Sequence, residues 1–568
     1  MTNEQIARVF EQLVDLLEIE GANPFRLRAY RNAARTIRST ANSFAAMVDD
    51  NTDLTEFSGI GKDLAEQIVQ VTRTGRHPRL IELQERVPQG VVDMLRIPGV
   101  GPKKVAVFFK SLNLRSLDDL KAAAEAGRLA SLKGFSEKTE KAILENVDQA
   151  VEAGRRVSIS AARSSAENVV GDLLSLNEVT QASVAGSCRR RRETCGDLDV
   201  LVTCSDHNVP MNALAEHAEV ESILQRGETK QRVRLLSGIE MDVRVVPNES
   251  FGAALQYFTG SKEHNVVIRQ RARDRGLKIN EYGVFRGDEQ IAGATEEEVY
   301  EAVELPWIPP ELRENRGEIE AAENGMLPKL LTTDQIRGDL HLHTTASDGA
   351  ASILEMAEAA KARGLKYIAV TDHSRRVSMA NGLDADRLRT HWEDVRRINE
   401  QVSGIRVLCG IECDILEDAT MDLDDDVLSE ADWVVAVLHY GLSQSRDQIM
   451  KRLLCAVTNP HVNIIGHPTG RLVDRRKGAD INMSELLRAA ADHGVMMEIN
   501  AHPRRLDLND INAAAAKDLG VPIVISTDAH SVNGLDVLQY GVDQARRAGL
   551  SKEDVANTKT WTQFRKLL

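Results

Sequence analysis

From residue 338 onward, short apolar runs recur, most of them ending in or beside a residue that can bind a metal or carry a proton: YIAVTDHS, RVLCGIEC, WVVAVLHY, VNIIGHP, GVMMEIN and VPIVISTDAH. Each run is strand-length, rich in β-branched residues, and separated from the next by a segment with helical spacing. Strands buried on both faces between helices read this way. The rhythm predicts an α/β domain with mainly parallel strands, of which a barrel is the closed form. Such folds build active sites at the C-terminal ends of their strands, and ten of the 14 histidines lie after residue 337. His341 and His343, two apart, present both imidazoles to one face of a strand. With Asp348, His373, Glu412, His439, His467, Asp528 and His530 they make nine candidate ligands. A lone histidine is usually structural, but nine donors at successive strand ends point to a metal centre. Imidazole with carboxylate suits Zn²⁺ or Mn²⁺, and a bridging Glu suits a multinuclear site. Such a site acidifies water for attack on a phosphoester.

The first 150 residues read as helices joined by short Gly- and Pro-containing turns. Phe57-Ser-Gly-Ile-Gly61 and Ile97-Pro-Gly-Val-Gly101 share one design, and Leu132-Lys-Gly-Phe-Ser136 is a weaker third copy. A Gly-x-Gly turn leading into a helix exposes backbone N–H groups that hold a DNA phosphate without reading sequence. One such turn reads equally well as a plain helix connection. Two, forty residues apart, point to DNA binding through Gly59, Gly61, Gly99 and Gly101. These segments resemble helix-hairpin-helix motifs.

Between them, strand-like runs begin near residue 181 and include Gly186-Ser-Cys-Arg-Arg-Arg-Arg-Glu-Thr-Cys-Gly-Asp-Leu-Asp199. Asp197 and Asp199 share one strand face, and like charges so close call for a cation such as Mg²⁺ or Mn²⁺. Asp242, in Glu-Met-Asp-Val-Arg, supplies a third carboxylate, so that two metals can serve a 3′-hydroxyl and a pyrophosphate leaving group. Gly186 and Ser187 allow close approach of a triphosphate, and Arg190 matches its charge. This segment resembles the nucleotidyltransferase superfamily that includes DNA polymerase beta. The next block, Tyr257-Phe-Thr-Gly-Ser261 with Asn265, Arg269 and Ile279-Asn-Glu-Tyr282, resembles the dNTP-binding and thumb region of family X DNA polymerases. The resemblance implies that Tyr257 and Phe258 flank the sugar and that Asn265 meets the base edge. Arg269 then faces the template, and Arg156 binds the triphosphate beside Gly196 and Gly260. One departure stands out. The position of the family's Schiff-base lysine holds Gln67, which cannot form that adduct, so lyase activity is not expected.

The C-terminal half resembles the polymerase and histidinol phosphatase (PHP) family, whose nine ligand positions for up to three Zn²⁺ or Mn²⁺ ions are all filled here. The resemblance adds Arg471 and Arg504 as phosphate contacts, their other reading being ordinary surface arginines, and Glu498, Asn500 and His502 as supports of the ligands. Together the halves resemble bacterial family X polymerases with a C-terminal PHP domain. The expected organisation is a helical DNA-binding domain at 1–85 and a helix-hairpin-helix fingers-like subdomain at 86–150. An α+β nucleotidyltransferase palm at 151–247 and a thumb-like dNTP-binding subdomain at 248–315 follow. A linker spans 316–335, and a distorted (β/α)7-type PHP barrel 336–568. The implied function is gap-filling synthesis on gapped or primer-template DNA from dNTPs, with a PHP 3′→5′ exonuclease or 3′-end-processing activity. The competing readings are a DNA-tethered phosphatase and a non-catalytic DNA-end scaffold.

A net charge of −15 argues at first against nucleic acid. Yet residues 1–286 are close to neutral, and the acid is concentrated in 287–335, with 13 Asp and Glu against 3 Lys and Arg. That stretch, with its WIPP segment, reads as a connector or exposed lobe. The N-terminus lacks a signal-peptide pattern and no run reaches membrane-span length. The six cysteines form no CxxC pair, so reduced thiols are expected, Cys409 and Cys413 as buried strand residues. A monomer associated with the nucleoid in a bacterial cytoplasm is expected.

Overall fold

A computed structural model describes residues 3–39, 44–49, 52–57, 59–97, 99–132, 134–154, 156–473 and 475–568. The turn residues Ser58, Pro98 and Lys133 lie outside the described residues. The chain divides into two compact units, the first formed by residues 1–155 and 474–476 and the second by residues 156–473 and 477–568.

The first unit is helical around a core that includes Phe10, Leu13, Tyr30, Ile68, Leu83, Phe108 and Leu120. Its three glycine turns have one geometry. Ile60, Val100 and Phe135 each donate a backbone N–H to the carbonyl three residues earlier, on Phe57, Ile97 and Leu132, at 3.0 Å in every case. Gly59, Gly99 and Gly134 take φ of +83°, +78° and +90°, the left-handed position that a type II turn reserves for glycine. The third copy, weak in sequence, therefore makes the same turn. Gly61 and Gly101 begin the helices Lys62–Thr74 and Pro102–Leu112, and no side chain caps either helix. Their first-turn N–H groups thus lack the usual side-chain acceptor.

The second unit begins with a five-stranded sheet made of β1 (Val179–Val184), β2 (Asp197–Cys204), β3 (Val220–Arg226), β4 (Lys230–Leu235) and β5 (Glu240–Val245), in the order β1-β2-β5-β4-β3. Helix Ile159–Leu174 covers one face, packing Ala162, Ala166 and Val169 into a cluster with Leu198, Val200, Val202, Met241 and Val243. Only β2 and β5 run parallel, with Asp199 opposite Asp242. Helices Phe251–Thr259 and Lys262–Asp274 and a small antiparallel sheet, β6 (Lys278–Asn280), β7 (Gly283–Arg286) and β8 (Glu289–Ala292), follow.

The acidic stretch exposes most of its carboxylates, but not all of them. Glu296, Glu311 and Glu318 are all buried. Glu296 pairs with Arg189 at 2.8 Å and Arg313 at 2.6 Å, Glu311 with Arg546 at 2.9 Å, and Glu318 with His264 at 2.7 Å. The arginines that neutralise it come from the palm and from the C-terminal domain as well as from the stretch itself. Composition along the chain cannot show partners more than a hundred residues away.

The C-terminal domain is a seven-stranded parallel sheet in sequential order: β9 (Gly338–Leu342), β10 (Tyr367–Val370), β11 (Arg406–Asp414), β12 (Trp433–Val437), β13 (Ile464–Ile465), β14 (Met496–Asn500) and β15 (Ile523–Ser526). A parallel bridge between Leu342 and Ala529 brings its first and last strands together, with His343 N–H donating to Ala529 O at 2.8 Å and Asp528 N–H to His341 O at 2.9 Å. The result is a nearly closed barrel with every strand pointing the same way. All six cysteines are free, and Cys409 and Cys413 are buried in β11. Among the described residues no helix is long and apolar enough to cross a membrane.

The Glu296 cluster yields a test. Burial opposes its charge, but Arg189 and Arg313 hold its pKa down at about 2. A depressed carboxylate contributes stability above its unfolded pKa, about 4.3, and loses it as pH falls through the folded value. Glu296→Gln should cost roughly 3–5 kcal/mol at pH 7. The difference from wild type should shrink as pH falls from about 4.3 toward about 2, as measured by chemical denaturation.

Candidate active sites

In the palm, Asp197 and Asp199 stand on β2 beside a cavity of about 430 Å³. Its lining gathers Arg156, Gly186, Ser187, Arg190, Gly196, Tyr257, Phe258, Gly260, Asn265 and Arg269, all singled out in the sequence, and adds Lys262, which was not. Burial and the neighbouring Asp197 push the Asp199 pKa up to about 6. Two carboxylates in that state fit a cation, which would relieve the repulsion between them. Gly186 has a positive φ of +62°, and a Cβ there would lie 2.8 Å from Asp199 Oδ2, so this glycine lets the turn pass over the carboxylate.

Asp242 lies beside Asp199 on the adjacent strand, but it is not among the cavity-lining residues. Its oxygens accept from Arg232 Nε at 2.6 Å and Nη2 at 3.0 Å, from Arg244 at 3.0 Å and from Lys230 at 3.1 Å. Burial disfavours its charge, yet Arg232 and Lys230 hold its pKa below the usual range. The expected trio is thus two carboxylates on the cavity and a third alongside, engaged by cations. Sequence reading missed Arg244, whose guanidinium also lies 4.5 Å from the centre of the Phe258 ring.

The aromatic wall is braced from within. Tyr257 and Phe258 meet edge-to-face at 5.1 Å. Asn265 Nδ2 donates to Tyr257 O at 2.7 Å and Asn265 Oδ1 accepts from Gln256 at 2.8 Å. Arg269 Nε donates to Asn265 O at 3.3 Å. Arg156 Nε donates to Thr194 Oγ1 at 2.7 Å, and Arg190 to Thr259 O and, at 3.1 Å, to Glu314.

At the barrel rim the nine candidate ligands converge into four overlapping groups. They are His343–Asp348–His373–His530, His341–Glu412–His467, His341–His343–Asp528 and His373–Glu412–His439, each with donor atoms within 4.8 Å of one another. Glu412 is the hub: His373 lies at 2.5 Å, His467 at 2.9 Å, His341 at 3.2 Å, His439 at 3.5 Å and His343 at 3.7 Å. His343 Nδ1 and His467 Nδ1 are buried without a hydrogen-bond partner among the described residues, and His341 Nε2, His343 Nε2 and His373 Nδ1 face carboxylate oxygens without hydrogen-bond alignment. Orphaned donors at this density fit bound metal ions. Burial lowers His343 to about 4, helped by His530 and His373, and His467 to about 3, helped by Arg505. Burial works against charge on His373 too, but Glu412 and Asp348 raise it to about 10, so the negative field that a cation would meet is already present.

Outer partners fix the rings. His341 Nδ1 meets Glu498 at 2.8 Å, and His439 Nδ1 meets Asp414, which sequence reading passed over, at 2.9 Å. Asn500 donates to Asp528 at 3.0 Å. His502 bonds instead to Asn500 Oδ1 through its N–H, and its Nδ1 accepts from Arg504 N–H. Arg471 lies against the palm. Its guanidinium pairs with Glu193 of the palm and donates to the carbonyls of Arg505 and Leu506, so its fork is engaged. Arg504 is exposed and its carbonyl accepts from Val473 N–H. It is the next residue, Arg505, that reaches Asp528 Oδ2, at 3.1 Å. A His-Pro-Arg-Arg sequence does not say which arginine turns inward.

The chain matches the family descriptions "Helix-hairpin-helix domain" over residues 1–77 and "SAM-like Helix-hairpin-helix tandem" over 91–147. It matches "DNA polymerase beta palm" over 157–235, "DNA polymerase beta thumb" over 254–314 and "PHP domain" over 339–502. It is 39% identical over 565 residues, 99% of this chain and 98% of the relative, to DNA polymerase/3′-5′ exonuclease PolX of Bacillus subtilis (strain 168). This chain belongs to the PHP-bearing family X DNA polymerases. Partial relatives flank that match. A probable phosphatase of Thermoanaerobacter sp. (strain X514) is 30% identical over 39% of this chain and 89% of its own. DNA polymerase lambda of Rattus norvegicus is 25% identical over 55% of this chain and 56% of its own.

In this family X polymerase the hub position of Glu412 predicts unequal losses of metal. Glu412→Ala removes a ligand from two of the four groups, and His530→Ala from one. The Glu412 variant should hold fewer ions per chain than the His530 variant, measured by elemental analysis of the folded, dialysed proteins.

Proposed function

We propose that this chain fills short gaps during DNA repair, using its palm for synthesis and its barrel rim for 3′-end removal. The carrying observation is the palm cavity, which collects both β2 carboxylates, the Gly186–Ser187 turn, three arginines and the Tyr257–Phe258 wall around one nucleotide-sized space. Arg156 and Arg190 bind the triphosphate, Gly186 and Ser187 admit it closely, and Tyr257 and Phe258 stack along the sugar and bar a 2′-hydroxyl. Asn265, held by Tyr257 and Gln256, presents itself to the base edge, and Arg269 to the template side. The glycine turns of the first unit grip the DNA backbone through helix N-termini.

Divalent cations, Mg²⁺ or Mn²⁺ in the palm and Zn²⁺ or Mn²⁺ at the rim, would supply Lewis acidity to the phosphates and to the attacking hydroxyl or water. Asp197 and Asp199 would hold them in the palm, with Asp242 on the neighbouring strand as the third carboxylate, placed to favour loss of the proton from the primer 3′-hydroxyl. At the rim the nine residues would hold up to three ions, and Glu498 and Asp414 orient the rings of His341 and His439 as lone-pair donors toward that space, where the terminal nucleotide would be removed from the 3′ end. Gln67 offers no amine for a lyase step, and its side chain is tied to His77 at 2.9 Å and Asp63 at 3.1 Å.

A labelled single-gap substrate separates the two activities. Asp197→Ala/Asp199→Ala should lower primer extension by on the order of a thousandfold and leave 3′ shortening intact. His341→Ala/His343→Ala should do the reverse. Unchanged extension in the first variant would sink the assignment of the palm. A second substrate ending in a 3′-phosphate asks whether the rim prefers phosphomonoesters, as the similarity to probable phosphatases suggests.

A further inference from the structure

One arginine of the barrel domain bonds Arg190, a residue that lines the palm cavity. Arg547 ends the helix Leu538–Arg547, which packs against β15, and its side chain is buried. Its Nη1 donates to the carbonyl of Arg190 at 2.7 Å and to Glu314 Oε1 at 3.0 Å, and its Nη2 donates to Asp510 at 2.7 Å. The same Glu314 oxygen accepts from Arg190 Nε at 3.1 Å. One carboxylate oxygen is therefore shared between an arginine of the cavity wall and an arginine of the barrel domain. Asp510 is itself anchored at the start of helix Asp510–Asp518 and also pairs with Arg316 at 3.0 Å.

Charge order gives this chain of contacts its consequence. Glu314 beside Arg190 would by itself cancel much of the positive charge a triphosphate needs. Arg547 on the far side of Glu314 offsets that carboxylate, and Arg192 assists at 3.5 Å. Arg190 then keeps its charge for the cavity while Glu314 and Thr259 O orient its guanidinium. The bond from Arg547 to the Arg190 carbonyl fixes the main chain at the end of the Gly186–Arg189 turn. Buried paired charges of this kind give definite geometry, and removing one member leaves the others displaced or unpaired.

We infer that Arg547 of the barrel domain is a positioning residue for the incoming nucleotide, acting through Arg190 and Glu314, so that the C-terminal domain forms part of the polymerase's nucleotide site. The inference rests on the reading of the palm cavity as the dNTP site. Its test is single-nucleotide insertion by the full chain on gapped DNA, with KM and kcat for the dNTP measured separately and 3′ shortening as an internal control.

Arg547→Met should raise KM for the dNTP about tenfold and leave kcat and 3′ shortening within about twofold. Arg190→Met should raise KM on its own. In the Arg190→Met background, adding Arg547→Met should raise KM by clearly less than about tenfold, because the side-chain path through Glu314 is gone and only the bond to the carbonyl of residue 190 remains. If Arg547→Met leaves KM within twofold while 3′ shortening is normal, the inference is overturned. It is overturned also if the tenfold rise persists in the Arg190→Met background. No KM effect from Arg190→Met would instead bring down the cavity reading. Should Arg547→Met lose both activities through misfolding, Arg547→Lys decides. It keeps the charge but loses the fork, and a KM raised severalfold supports the positioning role, while an unchanged KM refutes it.

Discussion

Parallel strand pairing is the constraint on which both halves of the second unit depend. Parallel neighbours end on the same side, so residues at their C-terminal ends are delivered to one rim. In the barrel this gathers His341, His373, Glu412, His439, His467 and Asp528 from successive strands, although Asp528 is 187 residues from His341 in the chain. The bridge between Leu342 and Ala529 closes the ring and sets the first and last contributors side by side. In the palm the single parallel pair places Asp199 against Asp242. A one-residue slip of that register would turn Asp242 to the opposite face of the sheet.

Crowded charge is the cost of this convergence, and the two sites meet it differently. The palm keeps two carboxylates on its cavity, at the price of a raised Asp199, and neutralises the third with Arg232, Arg244 and Lys230. The barrel rim instead interleaves imidazoles with carboxylates. Burial drives protons off His343 and His467, while the field of Glu412 and Asp348 retains one on His373. The net acidity of the chain takes a third form. Four carboxylates of its densest acidic stretch, Glu296, Glu311, Glu314 and Glu318, turn inward and meet Arg189, Arg190, Arg313, Arg546, Arg547 and His264, an ionic seam joining palm, thumb and barrel, while the other acids of the stretch face solvent.

Much of this was legible residue by residue. The nine residues that converge at the rim, both β2 carboxylates and ten of the residues around the palm cavity stood out because their chemistry is unusual for their local pattern: imidazoles at strand ends, like charges two apart, glycines before helices. What escaped had ordinary local patterns. Leu506 reads as any loop leucine, yet it leaves the barrel domain and is buried in the core of the palm. Arg471 and Arg504 looked suited to phosphate because arginine usually is, but Arg471 is engaged by Glu193 and it is Arg505 that supports Asp528. Glu314 and Arg547 offered no motif at all.

The sequence alone determined the class of each element and the identity of the reactive groups, because strand periodicity, turn glycines and ligand chemistry are local properties. Tertiary structure decided which charges neutralise which. Several of those pairings join residues more than a hundred positions apart, as Arg190 with Glu314, Glu314 with Arg547, or Glu193 with Arg471. A long-range ion pair depends on where two surfaces meet. Neither surface carries a periodic signal of its partner, so only the folded chain shows that Arg547 of the barrel domain meets Arg190 and Glu314.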